Sequence, residues 1–182
     1  MRKFRRADEP AISVENCAKH NSQWTERRRS NPTATFCWYS VAGKSVREHL
    51  LPILKKQCEE HCSFCDAFPL DGVSNETIEH LRPKSKFPEH AYTWKNLYYC
   101  CDACQNAKRE EWDEALLCAD AEEYSFSRYF EFDFTTGGIK PNSLASEQDR
   151  LRAAITVKLY GLDSQSRRRN RLREAEIFAK SF

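Results

Sequence analysis

The sequence predicts an α+β fold, a small cysteine-pinned core carried between mostly helical flanks, and three features predict it. Cys62 and Cys65 are separated by two residues, Cys101 and Cys104 likewise, and 35 residues lie between the pairs. Apolar residues recur at helical spacing on either side, at Val46, Leu50, Ile53 and Leu54 and again at Leu151, Ala154, Ile155 and Leu159. Strand signals are short: an extended run around Ile78–Leu81 that Pro83 ends, and an alternation of aromatic and acidic residues from Phe130 to Phe134.

In chain order, the first 38 residues mix basic clusters, Pro10, Pro32 and the aromatic Trp24, Phe36 and Trp38 without a clear period, and read as an arm packed on the core. Val41 to Cys58 reads as a helix that Pro52 kinks or restarts. Glu111 to Cys118 reads as a helical continuation after the second cysteine pair. The Phe130–Phe134 strand has one buried face and leads to a turn at Gly137 and Gly138. Gly161 should end the helix carrying Leu151 to Leu159. A last stripe, Leu172, Ala175, Ala179 and Phe182, carries arginines on its other faces. The expected organisation is an N-terminal arm and helix at 1–61, a core at 62–111 and a C-terminal aromatic and helical region at 112–182.

Composition narrows the class. A hydrophobic fraction of 40% beside 31% charged residues, with five glycines, describes a globular, helix-leaning chain. No run approaches the roughly 18 apolar residues that span a bilayer. The basic start, MRKFRRADEP, leads into no apolar stretch and reads as no secretory signal, so a cytoplasmic protein is expected. In that compartment nine cysteines read as reduced thiols, some holding metal, rather than as disulfides. The net charge of +2 hides segregation: residues 1–30 and 165–182 are basic, whereas Glu110–Phe134 holds nine acids and one arginine, Arg128. Basic ends suit a phosphate backbone, and the acidic stretch suits a protein partner, unless these runs are simply solvated helix faces.

The cysteine pairs have the spacing of a closed, structural four-thiolate zinc site, with Cys58, His61 and Cys100 as alternative ligands. Cys17, Cys37 and Cys118 lack partner spacing and read as buried free thiols. The segment between the pairs contains Ile78-Glu79-His80-Leu81-Arg82-Pro83-Lys84-Ser85, which a scaffold alone does not require. A carboxylate beside an imidazole suits acid–base and metal chemistry. Neighbours on a strand face opposite ways, so Glu79 and His80 would share a site only where the strand twists or bulges.

Taken together, Cys-x2-Cys, Glu-His-x2-Pro-Lys, Trp94-Lys95-Asn96-Leu97 and Cys-x2-Cys followed by Lys108 resemble the HNH endonucleases, and more narrowly the Septu-type and retron-associated antiphage members of that family. The resemblance covers residues 62–108 firmly. It extends more loosely to the opening MRKF and to Leu159-Tyr160-Gly161-Leu162-Asp163 with the arginine-rich helix behind it. It implies a ββα-metal core, with His80 as the general base toward water. Glu79 would be the acidic ligand of Mg2+ or Mn2+, and Asn96 would fix the loop after His80. Gln105 departs from the family, which has His or Asn at this second ligand position; Asn106 is the alternative. Lys108, Arg82 and Lys84 would steady phosphates.

The activity so implied is metal-assisted phosphodiester hydrolysis on DNA or on structured RNA such as tRNA, with zinc as scaffold. The subfamily likeness further implies antiphage defence beside a Septu-type partner ATPase, and a retron reverse transcriptase with its DNA product. The competing expectation is a non-catalytic zinc-binding adaptor that docks nucleic acid or protein.

Overall fold

The computed structural model describes residues 1–70 and 74–179, and they form two compact units, Phe4–Trp112 and Met1–Lys3 with Asp113–Phe182. Both mix helices with small antiparallel sheets, so the chain is α+β. No helix among the described residues is long and apolar enough to cross a membrane.

The Phe4–Trp112 unit begins with α1 (Ala11–Ser30), within the stretch expected to be an irregular arm. Its buried face consists of Ser13, Asn21 and Trp24, so no apolar stripe announced it. Asn21 accepts the Tyr92 N–H at 2.8 Å and donates to Thr93 Oγ1 at 3.1 Å, while the Trp24 indole donates to the Lys84 carbonyl at 2.9 Å. The helix is thus docked by directed polar bonds, with Trp24, Phe36, Trp38, Tyr39 and Tyr92 clustered beside it.

A tiny hairpin follows, β1 (Ser40–Val41) against β2 (Lys44–Ser45), turned by Ala42 and Gly43 at φ 51° and 78°. Positive φ at both turn residues is what a two-residue hairpin needs, and it delays the expected helix. α2 (Val46–Gln57) then starts at a capping box: Glu48 accepts the Ser45 N–H while Ser45 Oγ accepts from Arg47. It runs through Pro52 and buries Val46, Leu50 and Leu54.

The centre of this unit is β3 (Glu76–His80), antiparallel to β4 (Leu97–Cys101), with α3 (Asp102–Lys108) directly behind β4. Pairing is continuous from Glu76–Cys101 to His80–Leu97, with no bulge. All five β4 residues are buried. Arg109, at φ 51°, ends α3, and Glu111–Cys118 is not helical as the sequence had suggested. A left-handed residue cannot continue a right-handed helix.

In the other unit, α4 (Phe126–Tyr129) leads into β5 (Phe130–Asp133), which pairs with β6 (Gly138–Pro141). Gly137, at φ 69°, lies against the Arg168 carbonyl and Leu172, so a side chain there would clash as well as strain the turn. α5 (Glu147–Leu159) is capped by Ser146, and Gly161 at φ 58° follows its end. Its buried face is Asp149, Ala153 and Thr156; Leu151, expected inside, is 56% exposed. The core is supplied instead by the aromatic Tyr124, Tyr129, Phe130 and Tyr160 with Leu116, Leu117 and Ile139. α6 (Gln165–Ala179) carries the arginine run; Leu172 and Ala175 are half-buried, Ala179 is exposed, and Phe182 lies outside the described residues.

Candidate metal centre and adjoining cleft

Cys62, Cys65, Cys101 and Cys104 converge so that all four Sγ atoms lie within 4.8 Å of one another. Cys62 and Cys104 are 3.8 Å apart and Cys65 and Cys101 3.6 Å. Four thiolates at about 2.3 Å around a tetrahedral zinc are about 3.8 Å apart, so the cluster fits that ion. Backbone N–H groups of Cys101 and Cys104 donate to the sulfurs of Cys62 and Cys101, both at 3.4 Å, which favours the thiolate form. Asp66, at φ 67°, turns the first knuckle, and the Ser63 N–H to Tyr99 carbonyl bond of 3.0 Å ties it to β4.

Burial pushes the Cys62 and Cys104 thiols up, while hydrogen bonds from the neighbouring thiols, Cys100 foremost, pull Cys101 down. Cys62, Cys101 and Cys104 are buried and Cys65 is half-buried, so four thiolates here would need a cation to neutralise them, and zinc would supply both charge and geometry. Cys58 and Cys100 are buried outside the four-sulfur cluster. Of the cysteines expected as buried free thiols, Cys37 is exposed, and Cys17 and Cys118 are half-buried. Among the described residues this is the one group of His, Cys, Asp or Glu close enough to hold a metal.

Beside it, a cleft of about 320 Å³ is lined by Glu79, His80, Pro83, Lys84, Gln105, Asn106, Arg109 and Glu110. Glu79 and His80 both reach it although they are strand neighbours. The continuous register excludes a bulge, and the reason is position: His80 is the last paired residue of β3. The His80 ring lies against Trp38, nearly parallel at 5.6 Å, and meets Phe36 edge-on at 5.3 Å. Its Nε2 is 2.9 Å from the Ala91 carbonyl, which can only accept, so Nε2 carries the proton and Nδ1 is left as the acceptor. Burial holds the imidazole pKa down to about 3, aided by the charge of Lys84. His80 is therefore neutral at physiological pH, and the same burial makes it a weaker base than a free imidazole.

Asn96 makes three bonds across the loop behind His80. Its Oδ1 accepts from the Arg82 N–H at 2.7 Å, and its Nδ2 donates to the carbonyls of Arg82 and His90 at 3.0 and 2.9 Å. Gln105 donates to the Ile78 carbonyl at 3.2 Å and bonds to the Glu79 carboxylate. Lys108 lies elsewhere than a phosphate contact would. It is fully buried, donating to Glu79 Oε1 at 2.7 Å and to the His80 carbonyl at 3.0 Å. Burial raises the Glu79 pKa, with Lys108 opposing.

Compared with models of known families and with curated proteins, the chain matches none. What the site can do therefore rests on its own chemistry. Glu79, Gln105, Asn106 and Glu110 line the cleft and are residue types whose side-chain oxygens can hold a hard divalent cation, although Gln105 turns its amide N–H to the Ile78 carbonyl and to Glu79. Against such an ion stands Lys108, which already neutralises Glu79.

Sequence reasoning missed four contributors. Arg109 and Glu110 line the cleft only because the chain turns sharply after α3, and the aromatic cover of His80 comes from the arm some forty residues earlier, at Phe36 and Trp38. A signal existed for the arm, in the density of aromatics from Trp24 to Tyr39, but spacing does not say what they cover.

Proposed function

We propose that this cleft hydrolyses a phosphodiester bond of nucleic acid, in the manner of the HNH endonucleases that the motifs resemble. The observation that carries the reading is His80, neutral, with one nitrogen fixed to a backbone carbonyl and the other left as a base, at a cleft that also holds a carboxylate and two cationic side chains. His80 takes a proton from the attacking water. Lys84 and Arg109 attract the phosphate, and Asn96 holds the loop that orients the imidazole. Glu79 and Gln105 would hold Mg2+ or Mn2+, which when bound stabilises negative charge on the phosphoryl oxygens. Zinc at the four cysteines is structural. The defence role, with a Septu-type ATPase and a retron reverse transcriptase with its DNA product as partners, belongs to the same proposal and rests on the motif likeness alone.

The test is cleavage of plasmid DNA, single-stranded DNA and tRNA by the zinc-loaded chain with Mg2+ or Mn2+, with and without a Septu-type ATPase, beside His80→Ala. Cleavage by the parent that the substitution abolishes, with zinc content and fold retained, supports hydrolysis and identifies the substrate. A folded, zinc-loaded parent that cuts nothing under any of these conditions leaves the adaptor reading in its place. One observation favours that second reading: His80 is only 5% exposed. If its role were packing, His80→Ala would lower stability and leave nucleic-acid binding as it was.

A further inference from the structure

Lys108 is among the largest fully buried side chains of the molecule, and a lysine ammonium seldom lies so deep without a purpose or a partner. It has three donors, and two are spent on Glu79 Oε1 and on the carbonyl of His80, the two residues on which the proposed chemistry depends. Its attachment is short and rigid: Lys108 closes α3, whose other end is anchored by Cys101 and Cys104 in the sulfur cluster. The ammonium holds Glu79 Oε1 from inside the protein and is not among the residues that line the cleft, so a cation reaching Glu79 from the cleft would share one carboxylate with it. Two positive charges at that separation repel strongly when little water screens them.

We propose that Lys108 gates the cleft toward divalent cations. In the cation-free chain it holds the Glu79 carboxylate, and a cation captured by Glu79 displaces the ammonium from Oε1. The inference rests on the reading of Glu79 as a cation ligand and adds to it a residue that sets the affinity. Lys108 is on this account a positioning residue, acting through Glu79 and the His80 carbonyl. Its replacement by a neutral side chain leaves the buried Glu79 carboxylate without its counter-charge, the Gln105 amide still bonded to it, a state that any cation able to enter the cleft relieves.

The experiment measures Mn2+ binding to the zinc-loaded chain from the free-ion electron paramagnetic resonance signal, in the absence of nucleic acid. Lys108→Met, which keeps the apolar stem, is expected to bind Mn2+ about tenfold tighter than the parent or better, about 1.4 kcal/mol. The gain should vanish in Glu79→Gln/Lys108→Met. A folded, zinc-loaded Lys108→Met that binds Mn2+ no tighter than the parent overturns the gate, as does a gain that survives loss of Glu79. Should Lys108→Met fail to fold, the parent chain still decides. The side-chain ammonium resonance of Lys108, observable because burial slows its exchange, is expected to shift in step with added Mg2+. A resonance unmoved throughout the titration overturns the proposal. Because binding is read without substrate, a chain that cleaves nothing can still show the gate. Conversely, cleavage lost in His80→Ala without a Mn2+ gain in Lys108→Met retains hydrolysis and removes the gate.

Discussion

The Phe4–Trp112 unit and the hairpin unit, Met1–Lys3 with Asp113–Phe182, are built on opposite principles. The first buries polar and charged groups in number: Ser13, Asn21, Ser63, Glu79, His80, Asn96 and Lys108, besides three of the four thiols of one cluster. Among its described residues the second buries only Asp149 and Thr156 of that kind, and its core is chiefly tyrosine, phenylalanine and leucine. A buried polar group costs about 1–3 kcal/mol if unpaired, so a fold that collects them must satisfy each. Here Glu79, Asn96, Lys108 and the Nε2 of His80 each find partners in one another or in the backbone. Such a network adds little net stability for its size and fixes side chains in one arrangement, which is what a site needs and a mere core does not. The hairpin unit has the composition of a packing module.

The contrast breaks most sharply if zinc is not what holds the first unit. All four tryptophans, Trp24, Trp38, Trp94 and Trp112, lie in that unit, so indole emission reports on it alone. Removing zinc with a strong chelator, or Cys104→Ser, is expected to expose the indoles and unfold β3, β4 and α3, at a cost of about 10 kcal/mol or more. Residual helical circular dichroism should come from α5 and α6. Emission unchanged after complete zinc loss would mean that packing suffices and the sulfur cluster is dispensable. The reciprocal change is Tyr129→Ala. Tyr129 is fully buried, stacked on Tyr124 at 5.7 Å and covered by the Arg152 guanidinium at 5.4 Å. Its truncation should cost about 4 kcal/mol in urea unfolding followed by circular dichroism, with tryptophan emission unaltered at low urea. Loss of both signals together would show that the units do not unfold separately.

Much of the site was legible because its determinants are local. A two-residue gap makes both thiols of a knuckle available to one ion, and Glu79-His80 and Trp94-Lys95-Asn96-Leu97 are contiguous words, with Asn96 bonded to His90 only six residues away. What was not legible depends on docking. α1 escaped because Asn21 and Ser13 do the work that leucines usually do, and periodicity counts only apolar residues. The α5 stripe was misjudged because Ala153 and Thr156, small and unremarkable in sequence, face inward while Leu151 does not. Lys108 looked like a surface cation because lysine nearly always is one. Only the packing of α3 on β3 places its ammonium beside Glu79.

The smallest expected effect concerns how the polar network responds to acid, and it sharpens the comparison at the edge of the sheet. Glu76, at the start of β3, is held below its ordinary carboxylate pKa of 4.5, chiefly by the hydrogen bond from Lys55, opposed by burial and reinforced by the Tyr99 hydroxyl at 2.8 Å. A carboxyl whose pKa is depressed on folding contributes stability that is present above its unfolded pKa and lost as pH falls through the folded value. Glu76 therefore stabilises the first unit at neutral pH, and that contribution declines below about pH 4.5. Glu76→Gln keeps the shape and removes the titration. The difference in unfolding midpoint between parent and variant, read by tryptophan emission, should be largest near pH 7 and shrink as acid is added. Zinc release affects both chains, so it cancels in that difference. A midpoint difference independent of pH would mean that the amide loses only shape and bonding partners, and that the Lys55–Glu76 charge pair contributes nothing to holding β3 against β4.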